Sequence, residues 1–171
     1  WPSHLAYCAS KAALVMATGC LALALAPQVR VNAVAPGILD PPGADEAVVE
    51  NGGDIFIASP RAVTIGLFAG GHPLSGRIAL AFPAERLPAS VCSSSSRFGH
   101  SMSFGDCDLA TIVARDGALA DAAATLAGNS VKSDADVEPT LARMMGIPGI
   151  EGVLLIRDGR VGVAGDLPPL V

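Results

Sequence analysis

Tyr7 and Lys11 are the first pair of side chains whose types and spacing could do chemistry. They stand four residues apart in an Ala- and Leu-rich stretch that predicts a helix, so both side chains would lie on one face. A Lys ammonium beside a phenol lowers the tyrosine pKa, as an acid that releases a proton near neutral pH requires. The alternative is two unrelated residues on a helix, which spacing alone does not exclude.

Asp121 and Thr125 form a second pair at the same spacing, at the start of another Ala-rich predicted helix. A carboxylate and a hydroxyl on one helix face can hold Mg²⁺ together or meet a phosphate. Two oxygen ligands do not complete an octahedral shell, so substrate or water would supply the rest. The alternative interpretation is a solvated helix face.

The segment from Val48 to Ile57 brings two β-rich runs together at a Glu-Asn-Gly-Gly-Asp sequence. Gly52 and Gly53 lack a Cβ, so they can adopt positive φ or let another group approach the backbone closely. Asp54 adds a carboxylate at the same bend. The pattern predicts either a tight turn or a binding site.

Hydroxyl groups crowd the segment from Val91 to Gly105. Ser94 and Ser95 can cradle a phosphate with their hydroxyls and backbone N–H groups, while Arg97 supplies positive charge and His100 lies nearby. The segment is not a Walker A loop, because no Gly-Lys-Ser/Thr follows it. The alternative is a flexible, serine-rich surface loop.

The four cysteines lie far apart and form no CxxC pair, which indicates reduced thiols in a cytoplasmic protein. A thiol nucleophile at Cys92, paired with His100 or Cys107, is a further alternative that needs a neighbouring cation.

The net charge of −5, with 11 Lys and Arg residues, argues against a nucleic-acid partner. Residues 12–27 carry no charge, so a secretion signal is one alternative interpretation of this run. This run is shorter than the roughly 20 residues of a membrane span, so no membrane partner is expected. Because the chain begins at Trp1, we expect a fragment of a longer protein.

The elements that must position these residues follow from periodicity and turn signals. A buried helix is expected from Trp1 to Pro27, capped by Ser3, because apolar residues occupy almost its whole circumference. The predicted strands are Val48–Glu50, Ile55–Ala58, Val63–Phe68, Arg77–Phe82, Ser90–Cys92 and Leu109–Ala114.

Two further helices and a hairpin complete the predicted chain. Asp116 can cap a helix through about Gly128, and Ser133 with Asp136 can begin another that ends near Gly146. Gly152–Arg157 and Arg160–Ala164 flank an Asp-Gly turn. The order predicts an α+β fold with a largely antiparallel sheet. Prolines and a glycine at residues 40–43 suggest a boundary between domains 1–42 and 44–171.

Two motifs near the N-terminus, AYCASKAAL and LALALAPQVRVNAVAPG, resemble the catalytic segment of short-chain dehydrogenases/reductases, of the pteridine-reductase type. The resemblance covers residues 1–42 and implies that Tyr7 donates a proton and Lys11 holds the nicotinamide ribose. Asn32 and Pro36-Gly37 match cofactor-side positions, which implies NADPH as hydride source. The chain lacks the Gly-rich pyrophosphate seat, so NADPH binding would need the missing N-terminal part.

Residues 44–171 resemble the C-terminal half of an uncharacterised family related to the ApbE-type flavin transferases. The motifs that carry this resemblance are VVENGGDIFI, GLFAGGHPLSGRIAL, VCSSSSRFGHSMSFG, LADAAATLAGN and GVLLIRDGRVGVAGD. It implies FAD or FMN bound with Mg²⁺, with Gly52, Gly53, Asp54 and His100 lining the flavin and Asp121 with Thr125 holding the metal. The flavin transferases' Asp-Pro-x-Thr-Gly is replaced here by residues 101–105.

The sequence therefore predicts a flavin- or nucleotide-binding domain of unproven activity, fused to a truncated reductase segment. A flavin or pterin-like small molecule is the expected ligand, and a homo-oligomer is an open alternative. The competing functions are an NADPH-dependent oxidoreductase fragment that uses Tyr7 and Lys11, and a folded fragment without catalytic activity.

Overall fold

The computed structural model describes residues 4–26, 28–29, 31, 46–98 and 103–171. Side chains are described from residue 12 onward within the first of these ranges. The chain divides into two compact units, Trp1–Ala35 and Pro36–Val171. The predicted domain boundary near residue 43 lies outside the described residues.

The first unit contains one long helix, α1, which spans His4–Leu25 as the composition predicts. Its expected burial is wrong, since Leu14, Val15, Met16, Leu21, Leu23 and Leu25 are all exposed, Leu23 by 85%. One helix has no interior of its own, so an apolar circumference cannot by itself produce burial. Ser3 and Pro27, the predicted ends, lie outside the described residues. Among the described helices, none is both long and apolar enough to span a bilayer.

The second unit is built on antiparallel strands, which confirms the α+β prediction. A six-stranded sheet has the order β1-β2-β5-β6-β7-β8, and β3 pairs with β4 in a separate hairpin. All of these pairings are antiparallel. The strands are β1 (Ala47–Asn51), β2 (Asp54–Ala58), β3 (Val63–Leu67), β4 (Ile78–Phe82), β5 (Ala89–Ser94), β6 (Leu109–Ala114), β7 (Ile150–Arg157) and β8 (Arg160–Gly165).

The two faces of the large sheet bury separate hydrophobic clusters. On β6, Ala110 and Ile112 belong to the cluster shared with the helices, whereas Leu109 and Val113 belong to the cluster shared with the β3–β4 hairpin. Alternate residues of a strand point to opposite faces, so a strand covered on both sides is apolar throughout. Every residue of β6 is accordingly buried.

Helices α2 (Gly117–Ser130) and α3 (Val137–Met145) cover one face of this sheet. The Asp116 side chain accepts hydrogen bonds from the backbone N–H groups of Ala118 and Leu119, as predicted for the α2 cap. Before α3, the Asp136 carboxylate accepts a 2.7 Å hydrogen bond from the Ser133 N–H. Capping therefore fixes the orientation of α2, the helix that carries Asp121.

Candidate functional site

The Gly-Gly-Asp segment is the turn of the β1–β2 hairpin. Gly52 and Gly53 have φ angles of 62° and 103°, and Asn51 pairs with Asp54 across the two-residue loop. Both conformations are left-handed, which glycine adopts without steric cost and which a type I′ hairpin turn requires. The turn is tied to β5, because Gly53 O accepts a 3.1 Å hydrogen bond from the Ser93 N–H. The tight-turn interpretation is confirmed, and it places Asp54 at the first position of β2.

Asp54 and Asp121 come together although 67 positions separate them (121 − 54). Partial burial and the negative charge of Asp121 raise the pKa of Asp54. Asp54 lies directly opposite Cys92 in the β2–β5 ladder, and the Cys92 Sγ is 3.7 Å from the carbonyl oxygen of Gly117 at the start of α2, one acceptor within reach of the thiol proton. We call Asp54, Cys92 and Asp121 the acidic corner; it joins two motifs that the sequence shows only separately.

The accessible side of α2 carries both residues predicted to hold a metal. Asp121 and Thr125 are exposed, whereas the helix buries Ala120, Ala123, Ala124, Ala127 and Gly128 against the sheet. Their oxygen atoms are thus open to solvent one turn apart. Across the residues that the structure describes, no group of three or more His, Cys, Asp or Glu side chains is placed to hold a metal. A cation here would need oxygen ligands from water or from a bound molecule.

Phe56 is a neighbour of the acidic corner that the sequence analysis did not select. It stands two residues after Asp54 on β2, so the pleat places both side chains on the same face. The ring is 39% exposed and pairs with Val49 on β1. The alternation of side chains along Asp54–Ala58 was the sequence signal that could have identified Phe56. Its ring gives the acidic corner a flat apolar surface.

The serine-rich segment is folded by its own hydroxyl groups. Ser95 Oγ accepts hydrogen bonds from the N–H groups of Arg97 at 3.2 Å and Phe98 at 3.0 Å, which makes a local turn. Ser96 Oγ donates a 3.1 Å hydrogen bond to Gly128 O at the end of α2. Ser94 lies beside the same glycine, since a Cβ built there would come within 3.5 Å of Ser94 Oγ. His100 lies outside the described residues, so the predicted phosphate cradle stays a prediction.

Arg97 does not supply a free positive charge to this segment. Its guanidinium donates to Asp106 at 2.6 Å, to Asp108 at 3.2 Å and to Asp158. Arg157 also donates to Asp106, at 2.9 Å. We call these five side chains the arginine–aspartate cluster. Local sequence patterns cannot show that Arg97 and the β7–β8 turn approach Asp106 and Asp108.

Hydrogen bonds from Arg97, and then from Arg157, hold the pKa of Asp106 at about 2. The partners come from the loop after β5 and from the end of β7, so the cluster links separate parts of the second unit. Beside it lies a cavity of about 690 Å³ lined by His72, Leu74, Arg97, Asp108, Asp158 and Val161, among others.

The buried thiols are not nucleophiles. Burial raises the pKa of Cys92 to about 12 and that of Cys107 to about 11. A reactive cysteine needs a lowered pKa and access to solvent, and these two residues are 2% and 0% exposed. The alternative of a Cys92 nucleophile is therefore wrong.

The residues predicted from the reductase resemblance cannot be assembled into a site. Tyr7 and Lys11 lie on α1 at the predicted spacing, but their side chains are outside the described part of the chain. Asn32, Pro36 and Gly37 also lie outside the described residues.

The second unit defines an α+β protein with helices on one face of an antiparallel sheet and a hairpin on the other. The family model described as "AbpE bacteria" matches residues 9–147, and the chain belongs to that family. Because the match begins at residue 9, it includes most of the segment that resembles a short-chain reductase. These comparisons give no support to a reductase fusion.

Curated relatives include proteins named only "UPF0280 protein". That of Methanothrix thermoacetophila is 41% identical over 128 residues, which is 75% of this chain and 53% of the relative. That of Archaeoglobus fulgidus is 40% identical over 132 residues, 75% of this chain and 54% of the relative. That of Methanocaldococcus jannaschii is 34% identical over 145 residues, 82% of this chain and 59% of the relative. The chain thus spans just over half the length of these relatives.

Proposed function

We propose that this chain binds a flavin nucleotide, FAD or FMN, together with Mg²⁺ at the acidic corner. The observation that carries the proposal is the approach of Asp54 on β2 to Asp121 on α2. Two carboxylates whose negative charges repel each other near solvent attract a divalent cation, which relieves their repulsion. A raised carboxyl pKa at such a place is also a feature of functional sites.

The donor set suits Mg²⁺ when the ligand carries phosphate. Asp121 and Thr125 offer hard oxygen atoms, and Mg²⁺ is usually bound by one or two carboxylates, several waters and substrate phosphates rather than by a complete protein cage. The lack of a third acidic, His or Cys ligand among the described residues fits that mode. Mg²⁺ would supply charge neutralisation for the phosphates, while the protein's oxygen atoms orient it.

Phe56 supports a ligand that also contains a planar ring. Its exposed side chain shares a sheet face with Asp54, and aromatic rings stack on flat apolar surfaces. A flavin nucleotide combines a planar ring with phosphate groups, so it matches both surfaces. The proposal is for binding; a transfer reaction would need an acceptor, for which the described residues hold no assigned site.

The test is a thermal-shift titration with FAD, FMN and NADPH, each with and without Mg²⁺. A ligand present at about 100 times its Kd raises the free energy of unfolding by about 2.7 kcal/mol, which gives a measurable shift. We expect a flavin-dependent shift that requires Mg²⁺ and that Asp121→Asn abolishes.

Glu138→Gln is the matched control variant. It removes the same charge from α3, where Glu138 pairs with Arg160 of β8 at the opposite edge of the sheet from β1 and β2. We expect this variant to bind like the wild type. A shift with NADPH alone, or equal loss of flavin binding in both variants, would overturn the proposal.

A further inference from the structure

Cys92 is the buried member of the acidic corner. The side chain is 2% exposed and belongs to the hydrophobic cluster under α2. It lies opposite Asp54 in the β2–β5 ladder, and its Sγ is 3.7 Å from the carbonyl oxygen of Gly117. The thiol therefore touches the strand that carries Asp54 and the first turn of the helix that carries Asp121.

The Asp54 carboxylate is a second acceptor within reach, because directly opposed residues of an antiparallel pair have Cβ atoms about 4.5–5.5 Å apart on one face of the sheet. A hydrogen bond from the thiol to this carboxylate would oppose the rise in the carboxyl pKa that burial and Asp121 cause, and it would add to the rise in the thiol pKa that burial causes. Burial keeps the thiol protonated, so it remains a donor across the physiological pH range.

We propose that Cys92 is a positioning residue that donates its S–H to the Asp54 carboxylate and holds it in register with Asp121. The effect of this hydrogen bond on the binding of Mg²⁺ and a flavin nucleotide rests on the proposed function. The hydrogen bond itself is independent of any ligand. A carboxylate fixed by a donor loses less conformational freedom when a cation binds, so the bond strengthens binding.

The competing account is that Cys92 only fills space. Its neighbours in the cluster include Ala120, Ala123 and Ala124 of α2, which an apolar residue of similar size would contact equally well. The two accounts make opposite predictions about whether serine or valine is the better replacement for Cys92. If packing alone matters, Cys92→Val is tolerated and Cys92→Ser is damaging, because serine buries a hydroxyl. If positioning matters, serine keeps a donor and valine removes it.

The first measurement is the Kd of FAD, in the presence of Mg²⁺, for the wild type, Cys92→Ser, Cys92→Ala and Cys92→Val. We expect Cys92→Ser to bind within about threefold of wild type and Cys92→Ala and Cys92→Val to bind about three- to tenfold more weakly, as for the loss of one hydrogen bond. Thermal melting of each free variant shows whether it is folded. Binding by the valine variant at wild-type strength, with loss in the serine variant, would overturn the inference.

The second measurement needs no ligand. The S–H stretching band of Cys92, assigned by its disappearance in Cys92→Ser, reports hydrogen-bond strength in the infrared spectrum. We expect Asp54→Ala to move this band to higher frequency, as happens when a thiol loses a strong acceptor. An unchanged band would mean that Gly117 is the acceptor, and the positioning role would be wrong. If the band moves but no flavin binds, the proposed function fails while the hydrogen bond stands.

Discussion

Asp106 gives the clearest prediction at the scale of single residues. Its pKa lies at about 2 instead of 3.8, chiefly because of the hydrogen bond from Arg97. A carboxyl group with a lowered folded-state pKa stabilises the fold above its unfolded pKa, and this contribution is lost as the pH falls through the folded pKa. We expect Asp106→Asn to lower the Tm at pH 7.

The difference in Tm between Asp106→Asn and wild type should narrow as the pH falls from 3.8 toward about 2, because both side chains become neutral. Thermal melts across this range measure it. Glu85→Gln serves as the control, since Glu85 is an exposed acid in a short 3-10 turn. If the difference in Tm between Asp106→Asn and wild type is the same at pH 7 and at pH 2, then Asp106 acts through packing or shape and not through its charge.

Residue-level prediction from sequence succeeded where partners share an element. Asp121 and Thr125 are one helical turn apart, and the helix period alone brings them to the same exposed side. Cys92 became a poor candidate for catalysis only when its burial was known. The electrostatic effect of Asp121 on Asp54 depends on β2 pairing with β5 and on α2 packing against β5, and no local pattern encodes such long-range neighbours.

At the scale of elements, the β1–β2 turn depends on two glycines with left-handed backbones. We expect Gly52→Ala and Gly53→Ala each to lower the free energy of unfolding by about 1–2 kcal/mol, because L-residues pay this cost in that region. A Cβ at Gly53 would meet Ser93 O at 3.6 Å, an ordinary contact, so the cost comes from the backbone. Denaturant melts measure the change.

Gly159 provides the matched control for the turn glycines. It also lies in a two-residue hairpin loop, between β7 and β8, but it lacks a left-handed φ and a Cβ there would meet no atom within 4 Å. We expect Gly159→Ala to be nearly neutral. If all three substitutions destabilise the protein equally, then the cause is a change in loop entropy or flexibility and not strain in a left-handed backbone.

The N-cap of α2 is the second test at this scale. We expect Asp116→Ala to lower the free energy of unfolding by about 1 kcal/mol, because the N–H groups of Ala118 and Leu119 lose their acceptor. Asp116→Ser should retain most of the stability, since serine is also a good cap. Urea melts compare the three proteins, and an alanine variant as stable as wild type would contradict the role assigned to the cap.

Element bounds were predictable because their signals are local. The Gly-Gly and Asp-Gly turns, the Asp116 cap and the Ser133–Asp136 pair each act within a few residues, and β6 was predicted with the bounds that the structure shows. The burial of α1 was not predictable in this way. A helix that is apolar on all sides requires a covering surface, and its own sequence does not say whether one exists.

At the scale of the whole molecule, the hydrophobic clusters show which part of the chain buries the apolar surface that stabilises the fold. Both consist of residues between Ile55 and Leu167, all in the second unit. The first unit presents a helix whose large apolar side chains are exposed. Since extended apolar surfaces favour association, we expect the 171-residue chain to form oligomers through α1.

A shortened chain of residues 46–171 separates the contribution of the clusters to stability from the contribution of α1 to association. It retains both clusters, so we expect it to melt cooperatively with a Tm close to that of the 171-residue chain, and to elute as a monomer where the 171-residue chain does not. Light scattering after size exclusion measures the mass, and calorimetry measures the melt. Replacing exposed Leu14, Val15 and Leu23 by Gln in the 171-residue chain is the matched control, because it removes apolar surface while keeping the length. If the shortened chain unfolds or still associates, then α1 contributes to the core of the fold or the interface lies in the second unit.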